Sequence, residues 1–191
     1  LLSSIFLSLV ETLMSGETSG LLRLVLVFVE IAMHRRGPET VPESQFLFGL
    51  LLVIYFVVSL FATLMAQPFT LAIGIVAFDT VFYLGIVWVL LELYKRSNRF
   101  LQTASALLGT GVILTMLQIP IFATADFDNA ERTFTSAGAW LFLLSLLWSI
   151  DVAGFILSRA LQLSYFAGVS IVIMYAFSSF TLGGFLFPVA S

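Results

Sequence analysis

Residues 46–66 read FLFGLLLVIYFVVSLFATLMA, and after Gln67-Pro68 the chain resumes with TLAIGIVAFDTVFYLGIVWVLLELY over 70–94. About 20 predominantly apolar residues carry an α-helix across the hydrocarbon core of a bilayer. Each stretch meets that length, and the turn between them is too short for anything but a hairpin of antiparallel helices. Val, Ile and Phe also favour strands, but a membrane β-barrel would show alternating segments of about ten residues. These runs are longer and do not alternate.

Three more segments of the same kind follow: Leu101–Ile119, closed by Pro120; Gly138–Leu157; and Leu163–Phe187, whose end is loosened by Gly183-Gly184 and Pro188. The expected fold is an all-α polytopic helical membrane bundle with about five transmembrane helices over residues 46–187. Composition agrees. Of 191 residues, 60% are hydrophobic and 10% charged, against about 25% charged in soluble domains. Such a chain has too few polar side chains to cover a soluble surface. With 8 Lys+Arg against 11 Asp+Glu and a net charge of -3, it has no basic excess for a nucleic-acid backbone. The absence of Cys removes disulfides, thiolate metal sites and thiol nucleophiles. A single histidine, His34, rules out a multi-histidine metal site.

Residues 1–33 are apolar but interrupted by Glu11 and by SGETSG at 15–20. The second piece, Leu21–Met33, carries Arg23 and Glu30. Neither piece spans a bilayer alone, so an interfacial or re-entrant helical region is expected, with a single broken span as the alternative. Leu1–Val10 lacks the basic start and small-residue cleavage site of a signal peptide. Residues 34–45, HRRGPETVPESQ, form a polar loop, and Ser44 is placed to cap the helix that follows.

Charge placement sets an orientation. Arg35 and Arg36 precede the first span, Lys95, Arg96 and Arg99 separate the second from the third, and Arg159 separates the fourth from the fifth. The Gln67–Thr70 turn is uncharged, and the 120–137 loop carries Asp126, Asp128 and Glu131 against Arg132. Positive charge thus falls in alternate connections. The positive-inside rule puts 34–45, 95–100 and 159–162 in the cytoplasm, with a bacterial inner membrane as the expected location. Glu92 is a candidate partner for Arg159, and Glu30 for Arg23 or Arg35.

Two carboxylates fall inside spans: Asp79 in the second and Asp151 in the fourth. A carboxylate at mid-helix costs about 2.5–3.5 kcal/mol on insertion scales. Each is therefore expected to face the bundle interior, a cavity or a partner protein. One reading makes Asp79 and Asp151 an ion or proton relay. The other makes them structural acids bonded to nearby hydroxyls, with Thr80, Tyr83 and Ser149 as local candidates. Lys95, Arg96, Arg99 and Arg159 suit anionic lipid headgroups, or simply anchor the topology by snorkelling. Ser105 and Gly109, and Gly154 and Ser158, are pairs four apart that let helices approach closely. Trp140 is expected at the outer interface, and the deeper Trp148 needs a partner for its indole N–H. No catalytic, phosphate-loop or calcium-loop motif is present, and no cofactor is implied.

The layout resembles the Yip1-like family of small integral membrane proteins: an amphipathic amino region, then five closely spaced spans. The stretch LLGTGVILTMLQIP over 107–120 and the region 148–175 are similar in style, and the resemblance covers about residues 40–187. It implies a role in membrane organisation or trafficking and transfers no functional residue. The interrupted apolar region 1–33 departs from the polar tail of such proteins.

Three functions fit. The first is a non-catalytic membrane subunit, scaffold or assembly factor, whose partners are lipids and other integral membrane proteins or a second copy of itself. The second is a small transporter or channel subunit using Asp79 and Asp151. The third is a lipid-acting enzyme built on His34 and the basic cluster.

Overall fold

In the computed structural model, residues 20–124 and 137–187 are described. They form six α-helices: α1 (Gly20–Ala32), α2 (Gln45–Leu64), α3 (Phe69–Leu93), α4 (Phe100–Thr124), α5 (Ala137–Leu161) and α6 (Tyr165–Leu186). Helices α2 to α6 are each long and apolar enough to cross a membrane. The chain is an integral membrane protein with a helical-bundle fold. The division expected at Ser15–Gly20 and the acidic loop with Asp126, Asp128, Glu131 and Arg132 lie outside the described residues, apart from Gly20, which begins α1.

Local chemistry places the helix ends. The Ser44 hydroxyl accepts from the Leu47 N–H at 3.3 Å, the expected cap of α2. Ser164 does the same for α6 through the Ala167 N–H at 3.3 Å. The C-terminal ends of α1, α3 and α5 close alike. His34, Lys95 and Gln162 each take a left-handed conformation, with φ of 57°, 56° and 57°. The next N–H then turns back to an earlier carbonyl: Arg35 to Glu30, Arg96 to Leu91 and Leu163 to Ser158. That is the Schellman closure, made here without glycine.

One expected boundary moves. Pro120 does not end the third span; α4 runs through it to Thr124. Proline removes one intrahelical hydrogen bond, and membrane helices tolerate this where surrounding groups compensate.

α4 is the axis of the bundle. It packs against α1, α2, α3 and α5, and a larger share of it is buried than of any other span. Residues 103–110 are buried without interruption. A helix hidden on every side needs small side chains for its neighbours to come close, and this stretch reads TASALLGT. α1 uses the same property. The Phe28 ring lies over Gly109, where any Cβ would overlap it, and Phe28, Ile31 and Ala32 are buried. α1 therefore docks its apolar side on α4 and touches α5.

The α5–α6 hairpin closes on small residues too. A Cβ on Gly154 would sit 2.8 Å from the Val169 Cα and 2.9 Å from its backbone nitrogen. A Cβ on Gly168 would overlap the Gly154 carbonyl and the Ser158 backbone. Backbone cannot rotate away as a side chain can, so bulk here must part the helices. Gly85 in α3 has open space around its Cα. Gly168→Ala should lower thermal stability in detergent by about 1–3 kcal/mol. Gly85→Ala should leave it unchanged or raise it by up to about 1 kcal/mol through helix propensity. Equal effects of the two substitutions on the melting curve would contradict this packing.

Candidate functional site in the bundle interior

Polar groups in an apolar helix must find partners nearby. Most hydroxyls here bond back to their own helix: Thr63 to the Ser59 carbonyl, Thr110 to Ala106, Ser158 to Phe155 and Thr181 to Phe177, each at 2.8 Å. Asp79 cannot, because a carboxylate only accepts and the helix offers it no free donor. It lies about 15 Å along α3 from Phe69, at 1.5 Å per residue. Its donors come from α6: the Tyr175 and Ser179 hydroxyls both reach Oδ1, each at 2.6 Å. Oδ2 has no donor among the described residues. The local candidates Thr80, Tyr83 and Ser149 are not its partners: Ser149 bonds elsewhere, and the Thr80 hydroxyl is buried without one.

An aromatic row stiffens this α3–α6 contact. Phe78 stacks on Phe82 with centroids 5.5 Å apart, Phe82 on Tyr175 at 5.8 Å, and Tyr83 tilts against Tyr175 at 4.9 Å. Phe187 closes the row against Phe78 at 6.2 Å.

Asp79 lines a cavity of about 380 Å³ to which all five spans contribute. Its polar groups are Tyr55 of α2, Asp79 and Tyr83 of α3, Thr110, Thr115 and Gln118 of α4, Ser149 of α5 and Tyr175 of α6. The remaining wall is mainly aliphatic, including Leu107, Leu114, Leu146, Ile150 and Val172. The Gln118 side-chain amide donates to the Ser149 hydroxyl at 3.0 Å, which in turn donates to the Ser145 carbonyl at 3.0 Å. Thr115 and Gln118 also border a smaller cavity of about 230 Å³, walled by Thr63 of α2, by Met65 just after it and by Phe142 of α5. Among the cavity-lining residues no Lys, Arg or His faces Asp79.

The second carboxylate is elsewhere. Asp151 does not line the cavity, although Ser149, Ile150, Val152 and Ala153 around it do. The Tyr165 hydroxyl donates to its Oδ1, and His34 Nε2 lies 3.4 Å from its Oδ2. The His34 ring meets Phe155 edge-on at 4.3 Å, and the Trp148 indole donates to the Ala32 carbonyl at 3.2 Å. Together these groups clasp the end of α1 onto α5, and Tyr165 of α6 holds the same carboxylate. The partner needed by the Trp148 indole is therefore a backbone carbonyl of α1. His34 has an acidic neighbour that its sequence position does not reveal.

The basic residues gather at one end. Arg96, after α3, donates to the Gln162 side chain after α5. Arg159 bridges to Glu39 at 3.2 Å and stands over the Phe155 ring at 5.8 Å. Gln102 donates to the Glu39 and Val41 carbonyls, both at 3.0 Å. The connections around residues 39, 96, 102 and 162 are thus tied together. Arg159 takes Glu39 where Glu92 had been the candidate, because the 34–45 connection folds onto α4 and α5. Glu30 pairs with Arg36 at 2.7 Å, and not with either candidate, Arg23 or Arg35. Lys95 is exposed at this end, and Arg99 ends the short 3₁₀ turn leading into α4.

The sequence matches no established family model, no curated protein and no solved structure.

Removing Asp79 leaves the Tyr175 and Ser179 hydroxyls without their acceptor. Asp79→Ala should therefore lower stability by about 1–3 kcal/mol. Asp79→Asn keeps an acceptor at Oδ1 and should cost less. Thermal unfolding of the two variants in one detergent checks the order, and equal losses would contradict the bonding.

Proposed function

We propose that this chain is a small transporter or channel subunit in which Asp79 takes up a cation, in the simplest case a proton, inside the bundle. One observation carries the reading: a carboxylate at mid-bundle that, among the described residues, has a donor on one oxygen only and no positive partner in its cavity. An unpaired charge in a low-dielectric interior is costly. Binding a proton or another cation removes that cost, and ionisable groups at such depth typically mark proton or ion paths. Hydroxyl and amide groups continue from Asp79 through Thr115 and Gln118 to the neighbouring cavity, which gives a cation polar contacts away from the centre.

The orientation that goes with this reading puts residues 34–45, 95–100 and 159–162 on the cytoplasmic side of a bacterial inner membrane. Its support is the alternation of positive charge and the hydrogen bonds that hold those connections at one end. Lys95 and Arg99 there are available to anionic headgroups, whereas Arg96 and Arg159 already have protein partners. Asp151 takes no part in the path; it holds α1. A purely structural subunit, including a role like that of the Yip1-like family, draws on the broad apolar faces of α2, α3 and α6, which lipid covers equally well. A lipid-acting enzyme built on His34 would need a nucleophile or an open site beside the His34–Asp151 pair. The carboxylate oxygens there are occupied by His34 and Tyr165.

The test is flux. Purified protein in liposomes with an entrapped pH dye should dissipate an imposed proton gradient under a potassium–valinomycin potential. Asp79→Asn should abolish the flux, and Asp151→Asn should preserve it in protein that remains folded. Flux that survives Asp79→Asn, or none above empty liposomes under either gradient, rejects the proposal.

A further inference from the structure

We infer that the Asp79 cavity binds a small organic ammonium compound, a cationic nitrogen carried on an apolar body. The inference rests on the reading of Asp79 as a cation site and adds the class of ligand. Four observations point to it.

The first is size. A proton needs no cavity, yet Asp79 opens onto about 380 Å³, within the range of about 300–1,000 Å³ typical of small-molecule sites. The second is the wall. Leu107, Leu114, Leu146, Ile150 and Val172 would bury a hydrocarbon body, which a hydrated inorganic ion lacks. The third is the coordination on offer. A bare metal cation requires several oxygens that present lone pairs together. Here the Tyr175 and Ser179 hydroxyls direct their hydrogens at Oδ1, so Oδ2 is the one carboxylate acceptor left, enough for an ammonium N–H. The fourth is aromatic. Tyr55, Tyr83 and Tyr175 line the same space, and their electron-rich rings suit a cation better than an anion. An anion would meet an acid with no cation beside it. A neutral solute would use Gln118 or Thr115 and leave Oδ2 without a donor.

The experiment uses the full chain in lipid nanodiscs, with empty nanodiscs as the reference for partitioning. Phenethylamine is titrated calorimetrically beside its neutral isostere phenethyl alcohol and the anion phenylacetate. The amine should bind saturably and about tenfold or more tighter than the alcohol, as expected for one charge-assisted hydrogen bond. Phenylacetate should not bind. Asp79→Asn should weaken the amine by about tenfold or more and leave the alcohol unchanged. Ala153→Leu, which fills the wall without touching the carboxylate, should weaken amine and alcohol alike. Three results would overturn the inference: the alcohol binding as tightly as the amine, amine affinity surviving Asp79→Asn, or no saturable amine binding above empty discs. Proton flux that depends on Asp79, together with no amine binding, removes this ligand and keeps the proton reading. Amine binding that depends on Asp79, with no flux, keeps the ligand and removes proton transport.

Discussion

The bundle depends on how closely its backbones can approach. Lipid is as apolar as a leucine side chain, so burying hydrophobic surface gains little between membrane helices, and contact must come from packing. α4 supplies this with a run of small residues, Thr103 to Ala106 and then Gly109 to Gly111, around which α1, α2, α3 and α5 gather. Gly154 and Gly168 do the same between α5 and α6. α6 is then held where Tyr175 and Ser179 can reach across to α3.

The cavity follows from the same constraint. Small residues draw helices together where they stand, and larger ones hold them apart nearby. Along α4 the cavity wall starts within the small-residue run, at Leu107, Thr110 and Gly111, and continues through Leu114, Thr115 and Gln118. On α5 the close contact at Gly154 gives way to Ser149 and Leu146. One oxygen of the carboxylate is held by α6, and Asp79 lines the cavity beside that contact. An acid bonded on all sides would be a structural rivet. An acid satisfied on one oxygen retains an acceptor for something else.

How much of this could be read from the sequence depended on the range of the physics involved. Span number came from length and hydropathy, which are local, and the five helices match it. Ser44 as a cap and Gly154 with Ser158 as a packing pair were also legible, because caps and four-residue spacing act within one helix. Pro120 does not act as the stop its residue type predicts, because helix-breaking rules formed in water weaken in lipid. Partners across helices were not legible. The hydroxyls nearest Asp79 in sequence are on its own or another helix face, whereas Tyr175 and Ser179 share one face of α6 by their spacing of four. That spacing was available in the sequence, but nothing local indicated which helix would lie opposite.

Asp79 and Asp151 show why depth alone does not assign a role. Both are acids within apolar helices, and both accept from a tyrosine of α6. Asp151 also has His34 at 3.4 Å, a group able to carry positive charge, and lies at the packed end of α1. Its two oxygens are occupied by parts of the fold, and its exposure of about a third lets solvent or headgroups share the cost of its charge. Among the described residues Asp79 has no basic neighbour and no donor to Oδ2, and it lines space walled by aliphatic and aromatic side chains. The difference is one of charge: the first acid has a neighbour able to carry positive charge, while the second has none among the described residues. That asymmetry separates a clasp from a site.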